Sequence, residues 1–412
     1  MPPSPRPSPP RLRVGTAIRR SLLPLDGEKL CAQARRRAGL EDFGNPPIQP
    51  ALSILVKSLE HEAELHSLGR FLIRAHLRGL LETRLRLADA WTRQREALEI
   101  TPIQRPVFIT GMPRSGSTFL HELLAEDPGN RVPRVWELMF PVAPPPGARN
   151  GRDLRAWKAK ASLWCFRRLA PRADSVHPIR AWSPHECVAI HSYTLMSEEF
   201  ISTCRIPSYE KFLHAVDLGP VYAWQKRFLQ YLQLPAGATR WFLKAPDHVR
   251  GLEALFKVFP DAVVIQTHRD PLAVLTSLTQ LIEVLHGLFS TPGDRKAIGQ
   301  REARMLAEGM ERSIQFRQNH PHLADRFIDV NYPELVADPV LVVRRIYQQL
   351  EIPFTHLAVQ RMRDFAGNRS RYRRRQAGPS VADLGLDPVA EARRFERYCS
   401  RFAIDAQFAQ AR

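Results

Sequence analysis

Between Pro106 and Pro128 the chain reads PVFITGMPRSGSTFLHELLAEDP. An apolar stretch runs into a glycine-rich turn, and leucines at helical spacing follow. A strand, a tight loop and a helix N-terminus in that order aim backbone N–H groups and the positive end of a helix dipole at an oxyanion. The loop nearly matches the nucleotide-triphosphate pattern G-x-x-x-x-G-K-[ST]. Gly111, Gly116 and Thr118 are in register, but Ser117 stands where the lysine belongs. Arg114 lies inside the loop and can add a permanent, bidentate charge. The segment is an anion cradle without the ammonium that grips the β- and γ-phosphates of ATP.

Further along, Lys244 closes the apolar run of WFLKAPDH, and Pro246 prevents simple continuation of a strand. A lysine there points toward a ligand crevice, although a surface lysine at a strand end has the same sequence. In THRDPLAVLTS, Arg269 ends another apolar run, Asp270 can cap a helix and Pro271 suits its first turn. Ser277 follows two turns later. An arginine and a hydroxyl suit a second phosphate; an ordinary strand–cap–helix joint reads the same way. The stretch HECVAIH invites a zinc reading but fails H-E-x-x-H, because Ala189 occupies the second histidine position. His185, Cys187 and His191 offer three ligands with no fourth nearby, so no metal is expected.

These residues need elements to position them. Leu52, Leu55, Val56 and Leu59, then Leu77, Leu80, Leu81 and Leu85, fall at helical spacing, and no proline interrupts residues 50–97. Apolar runs at 107–110, 240–246, 262–271 and 326–332 read as strands buried on both faces, with helical patterns between them. The expectation is an α/β fold: a P-loop-type parallel sheet flanked by helices, with a helical N-terminal subdomain and helical insertions. Residues 1–16 read as a disordered Pro/Arg-rich tail, 17–100 as the helical subdomain and 101–412 as the α/β domain, with a helical stretch over about 154–234. Residues 141–153 read as a proline-rich surface loop and 367–380 as a basic loop. A final helix places Phe395, Tyr398 and Phe402 on one face. Ligands of such sheets bind at the carboxyl ends of the strands, where Arg114, Lys244 and Arg269 fall.

Sixty Lys and Arg against 42 Asp and Glu give a net charge of +18, which favours anionic ligands or surfaces. No zinc finger, RNA-binding sheet signature or aromatic-interleaved basic tract is present, so nucleic acid is not an expected partner. Five scattered cysteines without a C-x-x-C pair suit a reducing compartment. No signal core is seen and no run approaches the roughly 18 apolar residues of a membrane span. A cytoplasmic location is expected.

GMPRSGST, WFLKAPDH and THRDPLAVLTS, in this order and at these distances, resemble the PAPS-dependent sulfotransferases, where PAPS is 3′-phosphoadenosine 5′-phosphosulfate. The likeness is greatest to bacterial sulfotransferase-domain proteins and more distant to protein-tyrosine sulfotransferases. It runs from about residue 50 to 402 and takes in RVWELMFP, HPIRAWSPHEC and VNYPELVADP. The resemblance implies that Pro113, Arg114, Ser115, Gly116, Ser117 and Thr118 hold the 5′-phosphosulfate, and that Arg269 and Ser277 hold the 3′-phosphate. It implies that Lys244 stabilises charge on the bridging oxygen as the sulfuryl group leaves, with Arg114 beside it. Glu137 matches the general base of the tyrosine enzymes; His185 and Glu186 are the alternatives. The released product would be PAP. A sulfuryl group carries less charge than a γ-phosphoryl group, so arginine, lysine and N–H groups suffice without Mg²⁺.

The sequence departs from that pattern in two places. The loop ends in GST where GTT is commoner, and Ser370 stands where a histidine is expected, leaving Arg371 and Tyr372 as substitutes near the cofactor. Trp136, Phe140, Trp182 and Tyr193 are candidates for a partly apolar acceptor pocket walled by the middle and N-terminal helices. Carbohydrate, lipid, peptide and small-molecule acceptors all remain open. Two other readings compete: a small-molecule P-loop kinase, and a non-catalytic anion-binding protein on the same fold. The serine at the lysine position and the lack of a strand-end aspartate for Mg²⁺ count against the kinase.

Overall fold

The structure is a computed structural model that describes residues 24–143, 153–169, 179–235, 237, 240–291, 293–368 and 380–404. The expected disordered tail, most of the proline-rich loop, and Ser370, Arg371 and Tyr372 lie outside the described residues.

Five parallel strands form one sheet in the order β2-β3-β1-β4-β5. They are β1 (Val107–Gly111), β2 (Asn130–Arg131), β3 (Arg240–Lys244), β4 (Val263–His268) and β5 (Phe327–Asn331). Every residue of β1 and β4 is buried. Alternate side chains serve two cores. Val107, Ile109, Phe242, Val263 and Ile265 pack with the helices Ser117–Leu124 and Pro339–Leu350. Phe108, Trp241, Leu243 and Val264 pack with Leu30, Leu52, Leu77 and Leu85 of the N-terminal helices. The N-terminal helices thus share one hydrophobic core with this face of the sheet. Short β2 was not evident in the sequence, since two residues carry no periodicity.

The expected helical stretch at 50–97 is interrupted. One helix spans Gln49–His61 and a second Ser67–Arg93. Glu64 adopts φ 50°, Leu65 bridges to Ser290, and His66 caps the second helix by accepting from Gly69 N at 2.9 Å. No glycine or proline marks this break; a tertiary strand bridge makes it. The final helix is likewise divided, into Pro388–Arg394 and Glu396–Arg401. Phe395, Tyr398 and Phe402 are nevertheless all buried together.

One helix overturns the expectation about apolar runs. Pro271–Phe289 has 19 residues and an 18-residue window of mean hydropathy 1.5, long and apolar enough by length and composition to cross a membrane. Here Val274, Leu275 and Leu278 join a core with Met310 and Ile314, while Leu281, Ile282 and Leu285 line a large cavity. A helix that packs on one side and walls an apolar cavity on another becomes apolar nearly all round.

The chain leaves β1 toward β3 and β2 on one side and reaches β4 and β5 on the other. Ligand crevices of open α/β sheets form at such a reversal. In register, Ile109 lies beside Lys244 and Gly111 beside Thr267. Gly111 has φ 127°, and a Cβ there would sit 2.3 Å from the Thr267 carbonyl oxygen. Gly111→Ala is expected to destabilise the fold by about 3 kcal/mol, through clash and backbone strain together. Urea denaturation checks this; a loss below about 1 kcal/mol would show that β4 can move aside.

Candidate active site

The loop Met112–Gly116 leaves β1 and enters the helix Ser117–Leu124. Two positive φ angles shape it, 68° at Arg114 and 92° at Gly116. The first N–H groups of the helix have no intrahelical acceptor and face the loop's concavity, as at any helix start. Pro113, Arg114, Ser117 and Thr118 line the large cavity.

Ser115 does not. Its side chain is fully buried; Oγ donates to Met112 O at 2.5 Å and lies 2.6 Å from Thr267 Oγ1. Its N–H reaches Met112 O at 3.3 Å. Both polar groups of Ser115, expected to face a ligand, here contact the loop itself. Gly116 supplies the turn, with Tyr332 and Leu335 side chains about 3 Å from where a Cβ would stand.

Arg114, Arg269 and Ser277 come together. Arg114 Nε donates to Ser277 Oγ at 3.1 Å, and Arg269 Nη1 donates to Arg114 O at 2.8 Å. The Arg269 guanidinium sits 4.1 Å from the Tyr332 ring centroid. Arg269 and Ser277 lie beside the loop rather than in the cavity wall.

On the other side, Lys244 is 2% exposed and donates to Thr118 Oγ1 at 3.1 Å. It also forms a close ion pair with Glu186. Cys187 N donates to Lys244 O at 2.8 Å and His185 N to Pro133 O at 2.9 Å, which fixes the His185–Cys187 segment against the end of β3. His185 and Glu186 both line the cavity.

Glu137 is placed elsewhere. It is 4% exposed, accepts from Arg131 Nη1 at 2.9 Å and from Arg134 N at 2.9 Å, and does not line the cavity. Its carboxylate holds an ion pair with Arg131 and the cap of its own helix. The carboxylate beside Lys244 is Glu186. His121 is buried, with Nε2 3.1 Å from Phe242 O; burial, reinforced by Lys244, pushes it down to about 3. His191 and Cys187, once weighed as metal ligands, both contact Gln225, and His191 also contacts Asp247.

The cavity encloses about 1800 Å³. Leu72, Leu80, Leu163, Phe166, Val188 and Leu285 represent its apolar wall, drawn from the N-terminal, middle and Pro271–Phe289 helices. Phe140 and Tyr193 line it; Trp136 and Trp182 do not, and Trp182 is 57% exposed.

The family model for the sulfotransferase family matches residues 106–356, more than half of the chain, including the loop, Glu137, Glu186, Lys244, Arg269 and Ser277. The chain belongs to the sulfotransferase family. Over 310 residues this sulfotransferase is 26% identical to the omega-hydroxy-beta-dihydromenaquinone-9 sulfotransferase Stf3 of Mycobacterium bovis and Mycobacterium tuberculosis, covering 68% of this chain and 71% of theirs. It resembles the crystal structure of sulfotransferase STF9 from Mycobacterium avium, with 27% identity, a TM-score of 0.84, and coverage of 93% of this chain and 98% of that one. For sulfotransferase STF1 from Mycobacterium tuberculosis the values are 30%, 0.77, 89% and 97%.

Sequence reasoning missed what braces Arg269 in this sulfotransferase. Its N–H reaches Tyr398 Oη at 3.4 Å. The preceding His268 stacks on Phe402 with centroids 4.0 Å apart, and its Nε2 lies 2.8 Å from Asp329 Oδ1. Arg317 grips Asp329 with both terminal nitrogens, at 2.7 and 2.8 Å. Burial works to raise the Asp329 carboxyl, but Arg317 and His268 outweigh it and hold it well below the usual range. No local motif announces a brace assembled from four distant segments.

Because the folded pKa of Asp329 is depressed, its stabilisation is complete above the ordinary value of 3.8 and fades as pH falls toward the folded value. Asp329→Asn is expected to cost about 1–2 kcal/mol at neutral pH, a figure reduced because the carboxylate is partly exposed. Denaturation curves of both proteins should converge as the medium is acidified below the ordinary carboxylate pKa. A constant gap would assign the effect to packing.

Proposed function

We propose that this sulfotransferase moves a sulfuryl group from PAPS to a hydroxyl of an amphipathic acceptor seated in the apolar cavity, releasing PAP. The observation that carries this reading is the convergence of Lys244, Thr118, Glu186 and Arg114 where the loop meets the cavity. The chain's residues fit the donor. Loop N–H groups and Arg114 would hold its phosphosulfate, and Arg269 with Ser277 its second phosphate, in keeping with the Arg114–Ser277 contact. The donor supplies an activated sulfuryl group whose bond to a phosphate oxygen breaks as a bond to the acceptor oxygen forms.

Glu186 takes the proton of the acceptor hydroxyl, a role worth about 10²–10⁴-fold. Lys244 stabilises the charge that collects on the departing phosphate oxygen. Thr118 accepts from Lys244 and so aims it along the loop. For the acceptor, the support is the apolar wall together with Stf3, whose name gives a hydroxylated menaquinone derivative. A lipid-like alcohol suits this wall better than a carbohydrate or a polar peptide does.

Thermal melting with PAP, and separately with ATP and Mg²⁺, tests the donor. PAP at 100 times its dissociation constant should stabilise the fold by about 2.7 kcal/mol. Stabilisation by ATP–Mg²⁺ alone would establish the kinase reading instead, and PAP binding without any turnover would leave an anion-binding protein.

Glu186→Gln should retain PAP binding and lose about 10²–10⁴-fold in kcat. Glu137→Gln should lower the melting temperature and leave kcat near that of the parent. The reverse pattern would return the base to Glu137. Arg269→Ala should weaken PAP more than an analogue lacking the 3′-phosphate; equal losses would contradict its assignment.

A further inference from the structure

The helix Arg155–Leu169 reads RAWKAKASLWCFRRL and contains no acidic residue. Its two sides differ in kind. Ala156 and Ala159 are buried, and Leu163, Phe166 and Arg167 turn to the cavity. The opposite side carries Trp157, Lys160, Ala161, Trp164 and Arg168, at i, i+3, i+4, i+7 and i+11, which is one stripe of an α-helix. All five are exposed, and none lines the cavity.

Trp157 is 63% exposed and Trp164 52%. Each has a cation from the same stripe beside its ring: Lys160 Nζ lies 4.8 Å from the Trp157 centroid, and Arg168 Cζ 4.8 Å from that of Trp164. At the helix start, Arg155 lies 4.9 Å over Trp136, whose ring is 5.9 Å from the exposed Trp182. Large indole rings left in water beside lysine and arginine need a covering of matching chemistry. Indoles partition to the interface between headgroups and acyl chains, and basic side chains reach from there to anionic headgroups. Alternating rings and cations suit that layered medium better than a purely apolar partner face.

We propose that the Arg155–Leu169 helix docks the protein on an anionic lipid bilayer, with Trp157 and Trp164 in the interface and Lys160 and Arg168 on the headgroups. Docking sets one wall of the acceptor cavity against the bilayer, so an amphipathic acceptor reaches the cavity without crossing water. The acceptor clause rests on the function proposed above; the docking does not.

Co-sedimentation of the full chain with phosphatidylcholine vesicles, with and without phosphatidylglycerol, tests it in the absence of donor and acceptor. The protein should bind the vesicles that contain phosphatidylglycerol and release as salt rises. Trp157→Ala/Trp164→Ala leaves the charge unchanged and should weaken binding by roughly tenfold or more. Lys160→Glu/Arg168→Glu should weaken it further, at about fivefold for each basic charge removed. Both variants should melt as the parent does and keep its turnover on a detergent-dispersed acceptor. Absence of vesicle binding overturns the proposal. So does undiminished binding by the tryptophan variant, which would put the attraction on other basic surface. A dimer in the parent that the tryptophan variant loses, with no vesicle binding, would show that the stripe covers a second copy of the chain.

Discussion

At the carboxyl end of β1, the backbone of Gly111 lies so close to β4 that any side chain would strike the Thr267 carbonyl. Thr267 itself donates to Thr110 O at 3.0 Å and meets the Ser115 hydroxyl. Ser115 in turn reaches back to Met112. Two buried hydroxyls and one absent Cβ thus tie the loop to the neighbouring strand. Without that tie a loop with positive φ at Arg114 and Gly116 would have many conformations of similar energy, and ordering it would cost entropy on each binding event. With it, the helix N-terminus and Arg114 keep one orientation, and the same β4 that braces the loop ends in Arg269. The loop and Arg269, the two anion-binding arms of the proposed function, are positioned by one strand.

Lys244 meets a different constraint. An ammonium almost wholly removed from water requires hydrogen-bond partners and a counter-charge. Thr118 and Glu186 provide them. The pairing gives the lysine a fixed place at the mouth of the loop, and it draws a carboxylate to the one point where cavity and loop meet. In the proposed reaction the two groups separate in role: negative charge on a departing oxygen takes over the ammonium, and the carboxylate is left to accept a proton. The ion pair is then a resting arrangement of an acid–base pair already at its work site.

Much of this was legible in the chain. Strands buried on both faces announced themselves as uninterrupted apolar runs, and glycine spacing located the loop, because both signals are local. Lys244, Arg269 and Ser277 stood out as candidates through the order and distance of three motifs. What stayed hidden depends on direction rather than position. Ser115 lies in the middle of the cradle, yet its side chain turns to β4, which no periodicity within the loop can reveal. Glu137 is the third residue of the helix Val135–Met139, where a glutamate closes a capping box. The usual Ser or Thr at the cap is absent, so the sequence allows a helix-entry glutamate paired with an arginine but does not single it out over a base. Asp329, Arg317, His268 and Tyr398 meet from separate elements and act on Arg269 only through that assembly.

The apolar character of the Pro271–Phe289 helix joins these threads. A soluble helix with one buried stripe needs polar residues opposite it. This helix has few, because its second face borders a cavity of about 1800 Å³ rather than open solvent. Ser277 sits on the same helix and accepts from Arg114, so the element that walls the apolar space also contacts the loop. In the proposed reaction, the donor and acceptor regions therefore share one helix. Positioning of that kind supplies a large part of the barrier reduction in an in-line displacement. An apolar helix that turns the Ser277 hydroxyl to the loop is what such a division of labour asks of a sequence.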